Sequence, residues 1–176
     1  PDAGNIKWSS RVSVGYLDQH TVLEKGKTIR DILRDAFKSM FDLEQEMLSM
    51  YDKMGEANDD EMAKLMEETA EIQTILENSG FYMIDAKIQE IANGLGLGEI
   101  GLDRDVTDLS GGQRTKVLLT KLLLENPTIL ILDEPTNYLD EEHITWLTRY
   151  LQEYENSFLL VSHDIPLIKN TRNVTY

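Results

Sequence analysis

From Arg11 to Leu17 the residues Val12, Val14 and Tyr16 alternate with smaller or polar partners, a period of two that predicts a strand. Beyond Thr28 the period changes. Apolar residues fall at Ile29, Ile32, Leu33, Ala36, Phe37, Met40, Leu43, Met47 and Met50, which is helical spacing. Thr28, with Asp31 three residues on, predicts the N-terminal cap. Gly55 to Asp60 is polar and turn-like, and a second stripe runs through Met62, Leu65, Met66, Thr69, Ile72 and Leu76. Two helices joined by a short polar turn predict an antiparallel hairpin.

A shorter helix is expected over roughly Ile84 to Leu95, ahead of a glycine-rich stretch, Gly94 to Gly101. Another is expected over Gln113 to Glu125, stopped by Pro127, before the continuous apolar run Ile129 to Leu132. A helix from about Glu141 to Glu153 then leads to the apolar strand Phe158 to Val161. Short apolar strands separated by a helix predict a parallel sheet with a right-handed crossover, and so an α/β fold.

Composition narrows the setting. The chain has 176 residues, 41% of them hydrophobic, enough for one domain with a real core. It contains no cysteine, so disulfide and thiolate chemistry are excluded. Pro1 to Ser10 carries no apolar signal-peptide core, and no apolar run approaches the length of a membrane span. A cytoplasmic protein without direct membrane insertion is the expectation. The formal charge of −15 argues against a general basic surface for nucleic acid. Between Asp31 and Glu77 there are 14 acidic and 4 basic residues, so the hairpin holds most of that excess.

Candidate chemistry starts at Ile129-Leu130-Ile131-Leu132-Asp133-Glu134-Pro135. Two acids closing a buried strand either face a ligand or are solvated at the strand end. At the carboxyl edge of a parallel sheet, Asp133 has the chemistry to hold a magnesium ion through water, and Glu134 to orient or deprotonate an attacking water. Upstream, Leu109-Ser110-Gly111-Gly112-Gln113 directly precedes a helix. Ser110 caps it, and the two glycines open backbone N–H groups and the helix dipole to an anion. A capped helix after a flexible loop would read the same way.

The two stretches together resemble the ATP-binding-cassette (ABC) family: Leu109 to Gln113 looks like the ABC signature, and Ile129 to Glu134 like a Walker B strand. Asn137-Tyr138-Leu139-Asp140 resembles the D-loop, and His163 within Val161-Ser162-His163-Asp164 resembles the H-switch. Gln19 sits where the family places its Q-loop glutamine. The resemblance implies a P-loop NTPase-like ABC core with ATP and Mg2+ as its ligands. Asp133, with Gln19, would bind the metal. Glu134 would be the general base, with His163 and Gln19 as further catalytic groups. Ser110, Gly111, Gly112, Gln113 and Asp140 would face nucleotide, the signature closing over an ATP held by a partner domain. The implied organisation is 1–27 as ABC core with the Q-loop, 28–80 as a hairpin arm of coiled-coil type, 81–108 as helical subdomain, and 109–176 as the remaining core.

Three motifs mislead. Gly96-Leu97-Gly98-Glu99-Ile100-Gly101 fits G-x-G-x-x-G, yet it follows a helix rather than a strand. Gly26-Lys27-Thr28 mimics the end of a P-loop, but residue 21 is Thr21 rather than glycine. Asn173-Val174-Thr175 is a glycosylation sequon without a secretory signal. His20, His143 and His163 lack metal-ligand spacing.

No G-x-x-x-x-G-K-[ST] occurs in the sequence. The resemblance therefore implies a piece of a longer protein, without ATPase activity when isolated and with exposed strand edges that invite self-association. The hairpin and the Asn137–Asp140 segment look like the ABC-F group, whose members carry two ABC domains on one chain and act on the ribosome in translation or antibiotic protection. That implies the first ABC domain of such a protein, with the second domain and the ribosome as partners. The alternatives are the ATPase subunit of a membrane transporter and a catalytically silent interaction module built on the hairpin.

Overall fold

A computed structural model describes residues 9–10, 12–17 and 21–171. Three parallel strands, β1 (Val14–Tyr16), β2 (Ile129–Asp133) and β3 (Ser157–Val161), lie in the order β1-β2-β3. The register pairs Val14 with Ile129 and Ile129 with Ser157. Parallel strands need crossovers, and these are helical. Everything between residues 29 and 125 separates β1 from β2, while α7 (Glu141–Gln152) links β2 to β3. One face of the sheet is core, with Leu130 and Leu132 fully buried. The alternate positions Val14, Tyr16, Leu159 and Val161 form an exposed apolar face.

The stripe beginning at Ile29 does not form one helix. It divides into α1 (Ile29–Arg34), a 3₁₀ turn over Asp35–Phe37 and α2 (Lys38–Met54). Phe37, at φ −113° and ψ 18°, leaves helical geometry, and there the stripe changes partner. Before it, Ile29, Ile32 and Leu33 are buried as α1 packs on α4 (Ile84–Gly94) and α6 (Gly111–Glu125). After it, α2 packs along α3 (Asp59–Asn78).

The hairpin seam is Met47 against Thr69, Ile72 and Leu76, extended by half-buried Met40, Leu43, Met50, Met54, Met62 and Leu65. The buried Thr69 hydroxyl donates to the carbonyls of Leu65 and Met66, so no polar group is orphaned there. Asn58 starts α3 with a capping box, accepting from the Glu61 N–H at 3.0 Å. The hairpin base is held by Phe41 edge-on to Phe81 (centroids 5.2 Å), with the Arg34 guanidinium 4.7 Å from the Phe41 ring centre.

Thr28 forms the expected capping box with Asp31. Lys27 is engaged by Glu24 (2.9 Å) and Asp35 (3.3 Å), so Gly26-Lys27-Thr28 holds a cap and ion pairs rather than an anion cradle. The glycine-rich stretch folds as a turn and a short helix, α5 (Leu97–Ile100), after α4. It has no strand before it, as a dinucleotide fingerprint requires. A final helix, α8 (Ile165–Asn170), is capped by Asp164.

Two tyrosines lock α7 onto the body of the domain. The Tyr150 hydroxyl donates to the carbonyl of Leu123 at 3.0 Å, and that of Tyr154 to the carbonyl of Pro127 at 2.6 Å. Burial, then Tyr154 and the charge of Glu90, push the Tyr150 phenol up to about 12. Because the folded state holds this proton more tightly, its stabilising contribution is present below the ordinary tyrosine pKa. It is lost as pH rises from roughly 10 toward 12. In an ultraviolet tyrosinate titration, Tyr150 and Tyr154 should ionise later than the other tyrosines, Tyr150 coincident with alkaline unfolding. The latest part of the lag should be lost in Tyr150→Phe, leaving that of Tyr154; seven tyrosines titrating together in the folded chain would contradict this.

Candidate active site at the carboxyl end of the sheet

β2 delivers two acids to the sheet's carboxyl edge, and the backbone treats them differently. Asp133 still pairs in register with Val161 and is exposed. Glu134 turns into the left-handed region at φ 46°. The only other described non-glycine residue with positive φ is Asn126, a side chain that tolerates it. For glutamate the conformation costs of order 1–3 kcal/mol and must be held by its surroundings.

The hold on Glu134 comes from β3 and the segment after it. Its N–H donates to the Val161 carbonyl at 2.8 Å. Its Oε2 accepts from the His163 backbone N–H at 3.2 Å, and its Oε1 lies 3.5 Å from His163 Nε2. The Glu134 side chain is 22% exposed, whereas the His163 ring is 99% exposed. The carboxylate is thus fixed and partly shielded, beside a histidine free to reach a ligand. That arrangement suits a general base with a polar partner across from it.

The signature residues sit at the start of α6. Ser110 Oγ accepts from the Gln113 N–H at 3.3 Å, and Gln113 Oε1 accepts from the Ser110 N–H at 2.9 Å, a reciprocal capping box. A Cβ on the exposed Gly111 would meet no atom within 4 Å. Gly112 is covered: a Cβ there would come within 2.9 Å of Tyr138 Cδ1, so only glycine lets that ring lie on the helix. Tyr138 therefore joins the signature helix to the loop that follows Glu134. Tyr138 lies within the D-loop-like segment Asn137–Asp140, and no local pattern marks its contact with Gly112.

That loop is tied by Asn137 N–H to the Glu134 carbonyl (3.3 Å) and Leu139 N–H to the Thr136 carbonyl (3.0 Å). Asp140, expected at the nucleotide, uses its carboxylate to cap α7, accepting from the His143 N–H at 3.1 Å. This backbone hydrogen bond, ahead of other causes, holds the Asp140 carboxyl below its usual range. His143 is buried, and its Nδ1 lies 2.6 Å from Asp140 Oδ1 at an angle outside hydrogen-bonding geometry. No motif marked His143; its burial comes from a turn some fifty residues away. Gln19 and His20 lie outside the described residues, as do Pro1 to Trp8 and Asn173 to Thr175.

Among the described residues no three His, Asp or Glu side chains converge as a metal cage. A magnesium ion needs no such cage, because it keeps waters and phosphate oxygens and takes only one or two carboxylates. Asp133, exposed beside Glu134, fits that donor set.

Residues 1–137 match the family described as ABC transporter. The chain belongs to this family. It is 66% identical over its whole length to the Bacillus subtilis (strain 168) protein named "Uncharacterized ABC transporter ATP-binding protein YfmM", covering 34% of that protein. It is 33% identical over 167 residues to the energy-dependent translational throttle protein EttA of Haemophilus influenzae, covering 95% of this chain and 30% of EttA. ABC transporter F family member 2 of Arabidopsis thaliana is 34% identical over 167 residues, covering 93% of this chain and 25% of that protein. The chain thus spans about a third of the length of the curated relatives it matches. Among solved structures, the RNase-L Inhibitor shares the fold at a TM-score of 0.59 with 24% identity, over 97% of this chain and 25% of that one. Among the described residues, no helix is long and apolar enough to cross a membrane.

Proposed function

We propose that this chain is the signature and Walker B part of an ABC-F-type ATPase, in which ATP binding closes two ABC domains of one protein and hydrolysis reopens them. The observation that carries the reading is Glu134, held in the left-handed region with its carboxylate on the His163 N–H. The matched translational throttle and F-family relatives support the ABC-F assignment.

In this reading Glu134 takes a proton from the attacking water while His163 reaches the terminal phosphate, and Gln19 assists at the metal or the water. Asp133, with Gln19, would hold magnesium, which would supply charge neutralisation on the phosphate oxygens. Ser110, Gly111, Gly112 and Gln113 close over the nucleotide of the opposing domain, their N–H groups and the α6 dipole facing anionic oxygens. Asp140 acts from behind by capping α7 and fixing the loop that carries Tyr138. The α2–α3 hairpin, a short antiparallel pair with its acids outward, is the arm toward the ribosome, and the intact protein works in the cytoplasm.

The test is ribosome co-sedimentation of the intact protein carrying Glu134→Gln and its counterpart in the second domain, with and without ATP. Trapping the closed state should give ATP-dependent pelleting with ribosomes. Full recovery in the supernatant, from protein shown to bind ATP, would overturn the ribosomal role in favour of a transporter subunit.

A further inference from the structure

Between α4 and α7 lies a groove of about 350 Å3 that the site described above does not use. Its floor is aromatic. Trp146 stacks on Tyr150 (centroids 5.3 Å, 24° between planes), and Tyr150 leans on Tyr154 at 6.0 Å. The floor is built in: a Cβ on Gly94 would fall within 2.0 Å of the Trp146 ring, so the indole lies directly on the α4 backbone. Both tyrosine hydroxyls donate inward to carbonyls of the domain body, which leaves ring surface to the groove.

The walls are anionic. Glu90 from α4 and Glu153 and Glu155 from the segment just after α7 line the groove, opposed by Lys87 alone. None of the three carboxylates has an ion-pair partner among the described residues. Ring faces carry negative potential and attract cations, and carboxylates at the rim add to that attraction. An anion would meet repulsion on both counts.

We infer that this groove binds an organic cation of the alkylammonium or guanidinium class, seated on the Trp146–Tyr150–Tyr154 rings and held by Glu90, Glu153 and Glu155. The same chemistry is offered by a free polyamine and by a lysine or arginine side chain of a basic peptide.

Trp8 and Trp146 are the only tryptophans, so Trp8→Phe leaves a single reporter inside the groove. In that background, Trp146 emission is titrated with spermidine and, separately, with argininamide. A saturable change with either cation is expected. It should weaken about three- to tenfold in E90Q/E153Q/E155Q, since each of the three exposed rim charges contributes only modestly. Circular dichroism and the urea midpoint of that variant should match the parent, because the replaced side chains are exposed. Saturation by spermidine alone assigns a free polyamine; saturation by argininamide alone assigns a basic side chain; saturation by both assigns the general cation class. Emission that does not saturate with either, or a triple variant titrating like its parent, overturns the inference.

Discussion

Glutamine in place of Glu134 is expected to lower ATP turnover of the intact protein by about two to four orders of magnitude, the contribution of a positioned general base. The substitution keeps side-chain length and an acceptor oxygen, so the contact with the His163 N–H persists. The backbone bond from Glu134 to Val161 does not involve the side chain at all. Fold and ATP affinity should therefore survive while proton acceptance is lost. Phosphate release at saturating ATP measures the loss, and nucleotide binding with the urea midpoint provides the control. Turnover close to that of the parent would remove Glu134 from the role of base.

Alanine at Gly96 should produce a large loss of stability. Gly96 occupies the left-handed region at φ 78° and ψ 15°, which for alanine costs about 1–2 kcal/mol. Its new Cβ would also fall 2.5 Å from Cε1 and 2.7 Å from Nε2 of His143. His143 is only 9% exposed and sits over Asp140, so it has little room to retreat, and overpacking of this kind adds roughly 1–3 kcal/mol. Together a destabilisation of roughly 2–5 kcal/mol is expected, read from equilibrium urea unfolding of the chain. Adding His143→Ser should recover the packing share and leave the backbone share. A loss of only about 1 kcal/mol in the single variant would mean that the imidazole moves aside.

That pair of residues shows where reading along the chain stops. The strand and helix periods, the caps at Thr28 and Ser110, and the ordered motifs from Leu109 to His163 are all local patterns. Spacing of apolar residues sets which face a helix buries, and a serine or threonine at a helix start satisfies N–H groups a few residues away. The family followed from the same local information, because its motifs are short and their order is linear.

Other features depend on residues far apart in the chain. The break at Phe37 is invisible in an apolar stripe that continues past it; it exists because α1 finds α4 and α6 while α2 finds α3. The strained backbone of Glu134 is held by Val161 and His163, nearly thirty residues on, through parallel pairing that no local pattern encodes. Tyr138 on Gly112, His143 against Gly96 and Trp146 on Gly94 each join a side chain to a distant glycine whose missing Cβ makes the room. The sequence alone determined the elements, their caps and the chemical motifs, since these rest on contacts within a few residues. The tertiary structure alone decided how Glu134 is held, how Tyr138 links the signature helix to the loop after it, and that an aromatic groove forms, since packing distances between remote segments exist only once the chain has closed on itself.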